Sequence, residues 1–217
     1  MIRVSSLYKS YGDLNVLKNI SFEINDGEIV AVTGASGAGK TTLLNIIGTL
    51  DKADKGEILI NGKDITKLSD KDLSVFRNKE IGFVFQFHYL LGEFTALENV
   101  IMPALLYGGD KRKAENKAKE LFEVLSISEK ENSYPNEMSG GEQQRVAIAR
   151  ALINSPALIL ADEPSGNLDS KNAKQLFDLF FMLREKYNQT FVIVTHSDNF
   201  ALMADRKLVI SDGAIIE

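Results

Sequence analysis

The sequence predicts an α/β fold: a doubly wound parallel sheet, with an antiparallel sheet near the N-terminus and a helical insertion in the middle. The first observation is a set of short apolar runs, typical of strands buried on both faces, at residues 28–33, 80–85, 158–162 and 191–195. The second is that helical patterns alternate with the later runs, as they do in doubly wound folds. The third is an alternation of apolar and polar residues over 20–25, which indicates a half-buried strand.

Turn signals add two hairpins to this outline. Asn61-Gly62 is a strong hairpin signal, and Asp212-Gly213 supplies a similar turn near the end of the sequence. The strands that these turns close are expected at 57–60, 208–210 and 214–216.

Capping and periodicity predict the helices. Thr95 and Glu98 have the spacing of a capping box, and Pro103 is expected to kink or end the helix that they begin. Residues 69–78 are typical of a short capped helix. Apolar stripes at helical spacing predict further helices at 114–125, 139–153 and 173–183.

Composition excludes several classes of function. The 217 residues carry 25 Lys and Arg against 30 Asp and Glu, and this net charge of −5 argues against nucleic-acid binding. The sequence has no cysteine and only two histidines, His88 and His196, so thiolate metal sites and multi-histidine clusters are excluded. Every apolar run is shorter than the roughly 18 residues that span a bilayer, so any membrane role is expected to depend on a partner.

The most specific chemical signal is a glycine-rich loop between a buried strand and a helix. It matches G-x-x-x-x-G-K-[ST] with Gly34, Ala35, Ser36, Gly37, Ala38, Gly39, Lys40 and Thr41. Its glycines let backbone N–H groups curl around phosphate oxygens, and the start of the following helix adds a positive dipole end. Lys40 is predicted to neutralise the outer phosphates and Thr41 to ligate Mg²⁺, with Thr42 also in the nucleotide site.

Two acidic residues end a later apolar strand. Asp162 and Glu163 follow the run 158–161, and ligands of open α/β sheets lie beyond the carboxyl ends of the strands. We therefore expect Asp162 to contact Mg²⁺ and Glu163 to orient or deprotonate the attacking water. Taken alone, two acids at a strand end would favour a solvated turn. The phosphate loop earlier in the sequence favours the catalytic interpretation instead.

A second glycine motif begins a helix near residue 139. Ser139 is a good N-cap, and Gly140 and Gly141 expose backbone N–H groups at which an anion could bind. The motif has no lysine of its own, and by itself it is equally typical of an ordinary capped helix.

The second motif resembles the signature of ABC-type ATPases, whose general form is Leu-Ser-Gly-Gly-Gln. Here it is Met138-Ser139-Gly140-Gly141-Glu142, with conservative changes at the first and last positions. The resemblance covers essentially the whole chain and implies one domain, 1–217, with a P-loop NTPase (RecA-like) core. It also implies an antiparallel β subdomain over 1–30 and 56–66 and a helical subdomain over 87–155.

The resemblance assigns roles to single residues. Tyr11 matches the aromatic residue that stacks on adenine, and Gln86 matches the glutamine that contacts Mg²⁺ and the attacking water. His196 matches the switch histidine that reaches the γ-phosphate. The implied catalytic set is Lys40, Gln86, Glu163 and His196, the implied metal ligands are Thr41, Gln86 and Asp162, and Ser139 to Glu142 are implied nucleotide contacts.

An ABC-type mechanism implies a homodimer that binds two ATP molecules head to tail. Each ATP would contact the phosphate loop of one subunit and the signature motif of the other, which explains why the signature motif has no lysine. Residues 165–169 match the loop that crosses this dimer interface. Chemistry at the γ-phosphate would then rest mostly on positioning and charge stabilisation.

A narrower resemblance identifies a branch of the family. Residues 85–100 are similar to the ATPase subunits of lipoprotein-releasing transporters, although Gly92 replaces the proline usual there. The alternatives within the family are macrolide-export and cell-division ATPases. ABC ATPases of DNA repair and translation fit less well, because they usually carry long coiled-coil insertions or tandem units. A P-loop kinase or GTPase would leave the signature motif and His196 unexplained.

The branch also implies where a partner binds. Residues Phe87–Leu91 are expected to contact an integral membrane permease, which would hold the chain as a peripheral subunit on the cytoplasmic face of the inner membrane. The alternative is that these side chains pack into the core of the helical region.

Overall fold

A computed structural model describes residues 1–216, which form two β-sheets and seven α-helices. In chain order the strands are β1 (Ile2–Tyr11), β2 (Leu14–Ile24), β3 (Ile29–Thr33), β4 (Lys55–Ile60), β5 (Lys63–Asp64), β6 (Ile81–Phe85), β7 (Leu158–Asp162), β8 (Thr190–Val194), β9 (Arg206–Ser211) and β10 (Ala214–Ile215). The helices are α1 (Lys40–Ile47), α2 (Asp70–Glu80), α3 (Ala96–Leu105), α4 (Lys111–Val124), α5 (Gly140–Leu152), α6 (Ser170–Tyr187) and α7 (Asp198–Met203).

The central sheet has six strands in the order β10-β9-β3-β8-β7-β6, and all neighbours except the terminal β9–β10 hairpin are parallel. The inner strands β3, β7 and β8 are almost wholly apolar, because side chains on both of their faces are buried. In β3, for example, Ile29 and Ala31 point into one apolar cluster, whereas Val30 and Val32 point into another. The first cluster includes side chains of α3, α4, α5 and α6. The second includes side chains of α1 and of the antiparallel strands. This arrangement confirms the predicted α/β fold class.

The second sheet is antiparallel, with the strand order β2-β1-β4-β5. Its inward side chains include Val4 and Phe22, which are partners across β1 and β2. The predicted boundary of this region at residue 30 needs correction, because it falls inside β3, a strand of the central sheet. Strand β4 pairs with β1 and begins at Lys55, one residue before the predicted start of the second segment.

Helices α3, α4 and α5 form the helical region and pack on one another through the first apolar cluster. The capping box of Thr95 and Glu98 is present at the start of α3. Pro103 does not end this helix, which continues to Leu105. Along the described chain, residues 1–216, no helix has the length and apolarity needed to cross a membrane.

Candidate active site

The phosphate loop joins β3 to α1, and its backbone is fixed by close packing. A Cβ on Gly34 would lie 2.1 Å from the backbone oxygen of Ile210, and one on Gly39 would lie 2.8 Å from Leu17 Cδ2. Both residues also have positive φ angles, 141° and 103°, which favour glycine. The sequence motif therefore reflects steric demands of the fold as well as the approach of a ligand.

Lys40 is buried, and its ammonium group is turned back onto the phosphate loop. Lys40 Nζ donates hydrogen bonds to the backbone oxygens of Gly34 and Ala35, each at 2.9 Å. The ammonium is thus held over the mouth of the loop, where it could exchange carbonyl oxygens for phosphate oxygens. In the described chain no side chain caps the start of α1, so its first N–H groups remain available to an anion.

Asp162 and Thr41 lie side by side where β7 ends. Thr41 Oγ1 donates to Asp162 Oδ1 at 3.3 Å, so the structure brings together two of the three predicted metal ligands, which lie 121 positions apart in the sequence. Burial raises the pKa of Asp162, and the hydrogen bond from Thr41 lowers it by less. A half-buried carboxylate with only weak local compensation is a suitable neighbour for a cation.

Glu163 and His196 meet beyond the adjacent ends of β7 and β8. Glu163 Oε2 accepts a hydrogen bond from the His196 backbone N–H at 3.2 Å, and Glu163 Oε1 lies 3.1 Å from His196 Nε2. The second contact lacks hydrogen-bond geometry, so within residues 1–216 Oε1 is buried without a donor. Burial raises the pKa of Glu163, although the N–H of His196 opposes it. A raised pKa and an unused oxygen both suit a general base.

The Glu163 backbone adds a further sign of a functional site. Its φ angle is +46°, a value that non-glycine residues adopt at a cost, and its N–H donates to the backbone oxygen of Val194 at 2.9 Å. The neighbouring strand thus holds Glu163 in a turn that directs its side chain toward His196.

Gln86 follows β6, the strand next to β7, and it is held by loop 165–169. Gln86 Nε2 donates to Asn167 Oδ1 at 3.1 Å, and Asn167 Nδ2 donates to the backbone oxygen of Gln86 at 3.2 Å. Gly166 packs directly against the same side chain, since a Cβ there would lie 2.7 Å from Gln86 Nε2. The predicted metal ligand Gln86 is therefore bonded to Asn167 in this structure, whereas Thr41 and Asp162 contact each other.

The signature motif starts α5 and makes its hydrogen bonds inside the helical region. Ser139 and Glu142 form a capping box, with Glu142 Oε2 accepting from both the backbone N–H and the hydroxyl of Ser139 at 2.8 Å. Lys130 Nζ lies 3.1 Å from Glu142 Oε1. Hydrogen bonds from Ser139 are the main cause that lowers the pKa of Glu142. Gly140 and Gly141 face open space, since a Cβ on either would meet no atom within 4 Å.

Tyr11 ends β1 with half of its surface exposed, as a stacking platform requires. Its hydroxyl donates to Asp51, a residue just beyond α1. Hydrogen bonding to Asp51 raises the pKa of Tyr11, whereas the side chain of Thr42 lowers it. These contacts place Tyr11 beside the first turn of α1, and thus beside the phosphate loop.

Sequence reasoning missed three contacts at the site, and two of them involve residues, Asp51 and Arg150, that it did not single out. Asp51 anchors Tyr11 and Asn167 holds Gln86, as described above. The third residue is Arg150 of α5, whose guanidinium donates to the backbone oxygens of His88 and Tyr89 at 2.7 Å each. All three pairs join parts of the chain that are distant in sequence, so no local pattern could have revealed them.

Comparison with known proteins identifies the family to which the chain belongs. Residues 17–166, more than half of the chain, match the family described as ABC transporter. The chain belongs to the ABC transporter family. Within that family it is an ATP-hydrolysing cassette, and the resemblance noted from the sequence motifs is confirmed.

Curated ABC relatives match along their full length. The lipoprotein-releasing system ATP-binding protein LolD of Cytophaga hutchinsonii is 53% identical over 216 residues, covering 100% of this chain and 99% of the relative. The protein of the same name from Bacteroides fragilis is 55% identical over 216 residues, covering 100% of both.

Solved ABC structures share the fold. The ATP-binding cassette MJ0796, in a dimeric post-hydrolysis state bound to ADP and Pi, has a TM-score of 0.89 and 40% identity, covering 100% of this chain and 97% of that one. The cbiO1 protein of Clostridium perfringens, part of the transporter complex cbiONQ, has a TM-score of 0.91 and 27% identity, covering 100% of this chain and 86% of that one.

Proposed function

We propose that this chain is the ATP-binding subunit of a lipoprotein-releasing transporter, in which ATP hydrolysis drives a separate membrane protein. The observation that carries the proposal is the cluster at the carboxyl end of the central sheet. There the loop after β3, the acids after β7 and the histidine after β8 supply Lys40, Thr41, Asp162, Glu163 and His196. The full-length relatives named for lipoprotein release support the branch.

In the proposed mechanism the triphosphate binds to the N–H groups of the phosphate loop and the start of α1. Lys40 would leave its two carbonyl partners and neutralise the outer phosphates. Glu163 would accept a proton from the attacking water, and His196 would hold that carboxylate and reach the γ-phosphate. Gln86 would contact Mg²⁺ and the attacking water after its hydrogen bond to Asn167 is broken.

The residues at the end of β7 also fit a Mg²⁺ ion. Thr41 and Asp162 offer hard oxygen ligands, which Mg²⁺ prefers. Among residues 1–216 there is no cluster of three or more His, Asp and Glu side chains that could enclose a metal, so the nucleotide would complete the coordination. When bound, Mg²⁺ would offset the negative charge of the phosphates.

The proposed active form is a head-to-tail homodimer. The signature motif exposes its glycines to open space, and its polar contacts stay within the helical region. A second subunit could therefore bring its own nucleotide to Ser139, Gly140 and Gly141. The dimeric form of the cassette MJ0796 supports this assembly.

The proposed membrane partner binds beside the segment that follows Gln86. Phe87 and Tyr89 are 62% and 65% exposed, which is unusual for large apolar side chains. The Tyr89 ring packs edge-on against Phe85, with 5.4 Å between the ring centroids, and Phe85 lines an adjoining cleft of about 400 Å³. Other apolar side chains on that cleft are Leu50, Phe83, Leu106 and Tyr107.

The proposal is tested by assembling the chain with its membrane subunits in proteoliposomes that carry a lipid-anchored protein. The wild-type complex should hydrolyse ATP and release that protein in an ATP-dependent manner. Glu163→Gln should keep ATP binding but lower turnover by at least about a hundredfold, because the base is lost while the phosphate contacts remain. Lys40→Ala should lose most binding as well as turnover.

Two outcomes distinguish the proposed ATPase role from the proposed cargo. Release that continues at the wild-type rate with Glu163→Gln would show that this chain does not power the transporter. ATP hydrolysis without release by the wild-type complex would leave the ATPase assignment intact and contradict the proposed cargo.

A further inference from the structure

Loop 51–54, which follows α1, is hydrogen-bonded to the end of β1, the strand that carries Tyr11. Lys9 Nζ donates to Asp51 Oδ1 at 2.8 Å and to the backbone oxygen of Lys52 at 2.7 Å. The backbone N–H of Ser10 donates to Asp54 Oδ2 at 2.7 Å. Together with the Tyr11 hydroxyl, which donates to Asp51, these bonds tie three successive residues of the strand end to the loop.

Asp51 is the centre of this group and is itself fixed to α1. The backbone N–H groups of Leu50 and Asp51 both donate to the oxygen of Asn45, at 2.8 and 3.2 Å. One Asp51 oxygen then accepts from Lys9, and the other accepts from Tyr11. Asp51 therefore links the helix that starts at the phosphate loop to the ring of Tyr11.

The charged groups around Asp51 are largely buried and bonded to one another. Lys9 is only 8% exposed, although lysine is seldom buried without a partner. Burial favours the neutral form of Asp51, but hydrogen bonds from Lys9 and Tyr11 outweigh it and lower the pKa of Asp51. Lys9 Nζ also lies 4.8 Å from the centroid of the Tyr11 ring, a cation–π distance.

From this arrangement we infer that Asp51 is a positioning residue for nucleotide binding, which anchors Tyr11 through its hydroxyl and so sets the ring at a fixed distance from the phosphate loop. The inference rests on the proposed function, in which Tyr11 stacks on adenine. An unanchored, half-exposed ring could occupy several rotamers, and only some of them would suit a base whose triphosphate is already held.

Stacking alone and anchored stacking predict different results for one substitution. A phenylalanine ring stacks on a base as well as tyrosine does. It cannot bond to Asp51, however, so Tyr11→Phe should weaken ATP binding only if the anchor matters. Because Tyr11→Phe leaves the Lys9–Asp51 ion pair in place, it also avoids stranding a buried charge.

The experiment measures equilibrium binding of ATP and of inorganic tripolyphosphate to the full chain. Tyr11→Ala should weaken ATP binding about tenfold or more, from lost stacking. Tyr11→Phe and Asp51→Asn should each weaken it roughly three- to tenfold, and the double variant should lose no more than the larger single effect. Tripolyphosphate, which has no base, should bind to all of these variants as it does to wild type.

Tyr8→Phe is the matched control, because Tyr8 lies on the same strand with a similarly exposed ring, 39% against 50% for Tyr11. It should bind ATP like wild type. Wild-type ATP affinity in Tyr11→Phe, with reduced affinity in Tyr11→Ala, would overturn the anchor and leave stacking intact. Wild-type affinity in Tyr11→Ala would overturn stacking itself. An equal loss for tripolyphosphate would show that the substitutions disturb the phosphate loop, and the assigned role of Asp51 would fall.

Discussion

At the scale of single residues, the site depends on buried polar groups whose partners are incomplete. Glu163 has one oxygen without a donor in the described chain, and Lys40 bonds only to the carbonyl oxygens of its own loop. Such groups are costly unless a ligand compensates them. A bound nucleotide would therefore compensate groups that the protein alone leaves incompletely bonded.

The raised pKa of Glu163 predicts the pH dependence of turnover. The ionised carboxylate is the active form of a base, and burial raises its pKa above the ordinary value of about 4.3. Turnover should therefore fall on the acid side at a higher pH than for an exposed glutamate. The check is kcat as a function of pH, with ATP binding measured over the same range. An acid limb that merely follows the loss of ATP binding would contradict the assignment.

At the scale of elements, local patterns predicted the strands and caps where one rule applied over several residues. The apolar runs of β3, β7 and β8 were recognised because both faces of the central sheet are buried. Strand β1 was not recognised in detail, because its register shifts between Val4 and Leu7 and Ser6 has a φ angle of +47°. That irregularity breaks the alternation on which strand prediction depends.

Sequence motifs pointed to the residues of the candidate site but not to the contacts that those residues make. The glycine motifs, the acids after β7 and His196 each carry a sequence signal. The pairing of Gln86 with Asn167 has no such signal, because it joins two loops 81 residues apart. The same holds for Tyr11 and Asp51, which are 40 residues apart.

The Gln86–Asn167 contact can be tested by releasing it in two ways. Asn167→Ala removes both hydrogen bonds, and Gly166→Ala should displace Gln86 sterically, since the new Cβ would lie 2.7 Å from Gln86 Nε2. In both variants the NMR signals of the Gln86 side-chain amide should move toward those of solvated glutamines. Solvent exchange of that amide should rise about fivefold, because a net hydrogen bond contributes about 1 kcal/mol.

Asn172→Ala is a suitable control for these two variants, because it alters a neighbouring amide that bonds to Asp169 and not to Gln86. Unchanged Gln86 signals in Asn167→Ala would show that Asn167 does not hold the glutamine. A shift of the Gln86 signals in Gly166→Ala but not in Asn167→Ala would show that packing, and not the hydrogen bonds, positions the glutamine.

At the scale of the whole molecule, the two glycine motifs that the proposed mechanism needs lie on different parts of the fold. The phosphate loop leaves the central sheet after β3, whereas the signature motif starts α5 in the helical region. Arg150 at the far end of α5 holds the backbone of His88 and Tyr89, so the segment after Gln86 is tied to the same helix that carries the signature motif. A change in the angle of the helical region would therefore move that segment with it.

The structure divides the predicted docking segment into exposed and buried side chains. Phe87 is 62% exposed, but Leu90 is partly buried and packs against the core of the helical region. Phe87→Glu should thus leave folding and the ATPase rate of the free chain within about twofold of wild type, since surface substitutions change stability little. It should weaken co-purification with the membrane subunits more than about tenfold, because an unpaired charge would be buried at the contact.

Two further variants make that result specific. Leu202→Glu places the same charge on another exposed apolar residue, 80% exposed on α7, and should assemble normally. Leu90→Glu should destabilise the chain itself, because the charge would enter an apolar cluster. Normal assembly of Phe87→Glu would show that the docking surface lies elsewhere. It would also contradict the proposed coupling between Gln86 and the membrane partner. A loss of assembly shared equally by Leu202→Glu would indicate a general effect of added negative charge, since the chain already carries a net charge of −5.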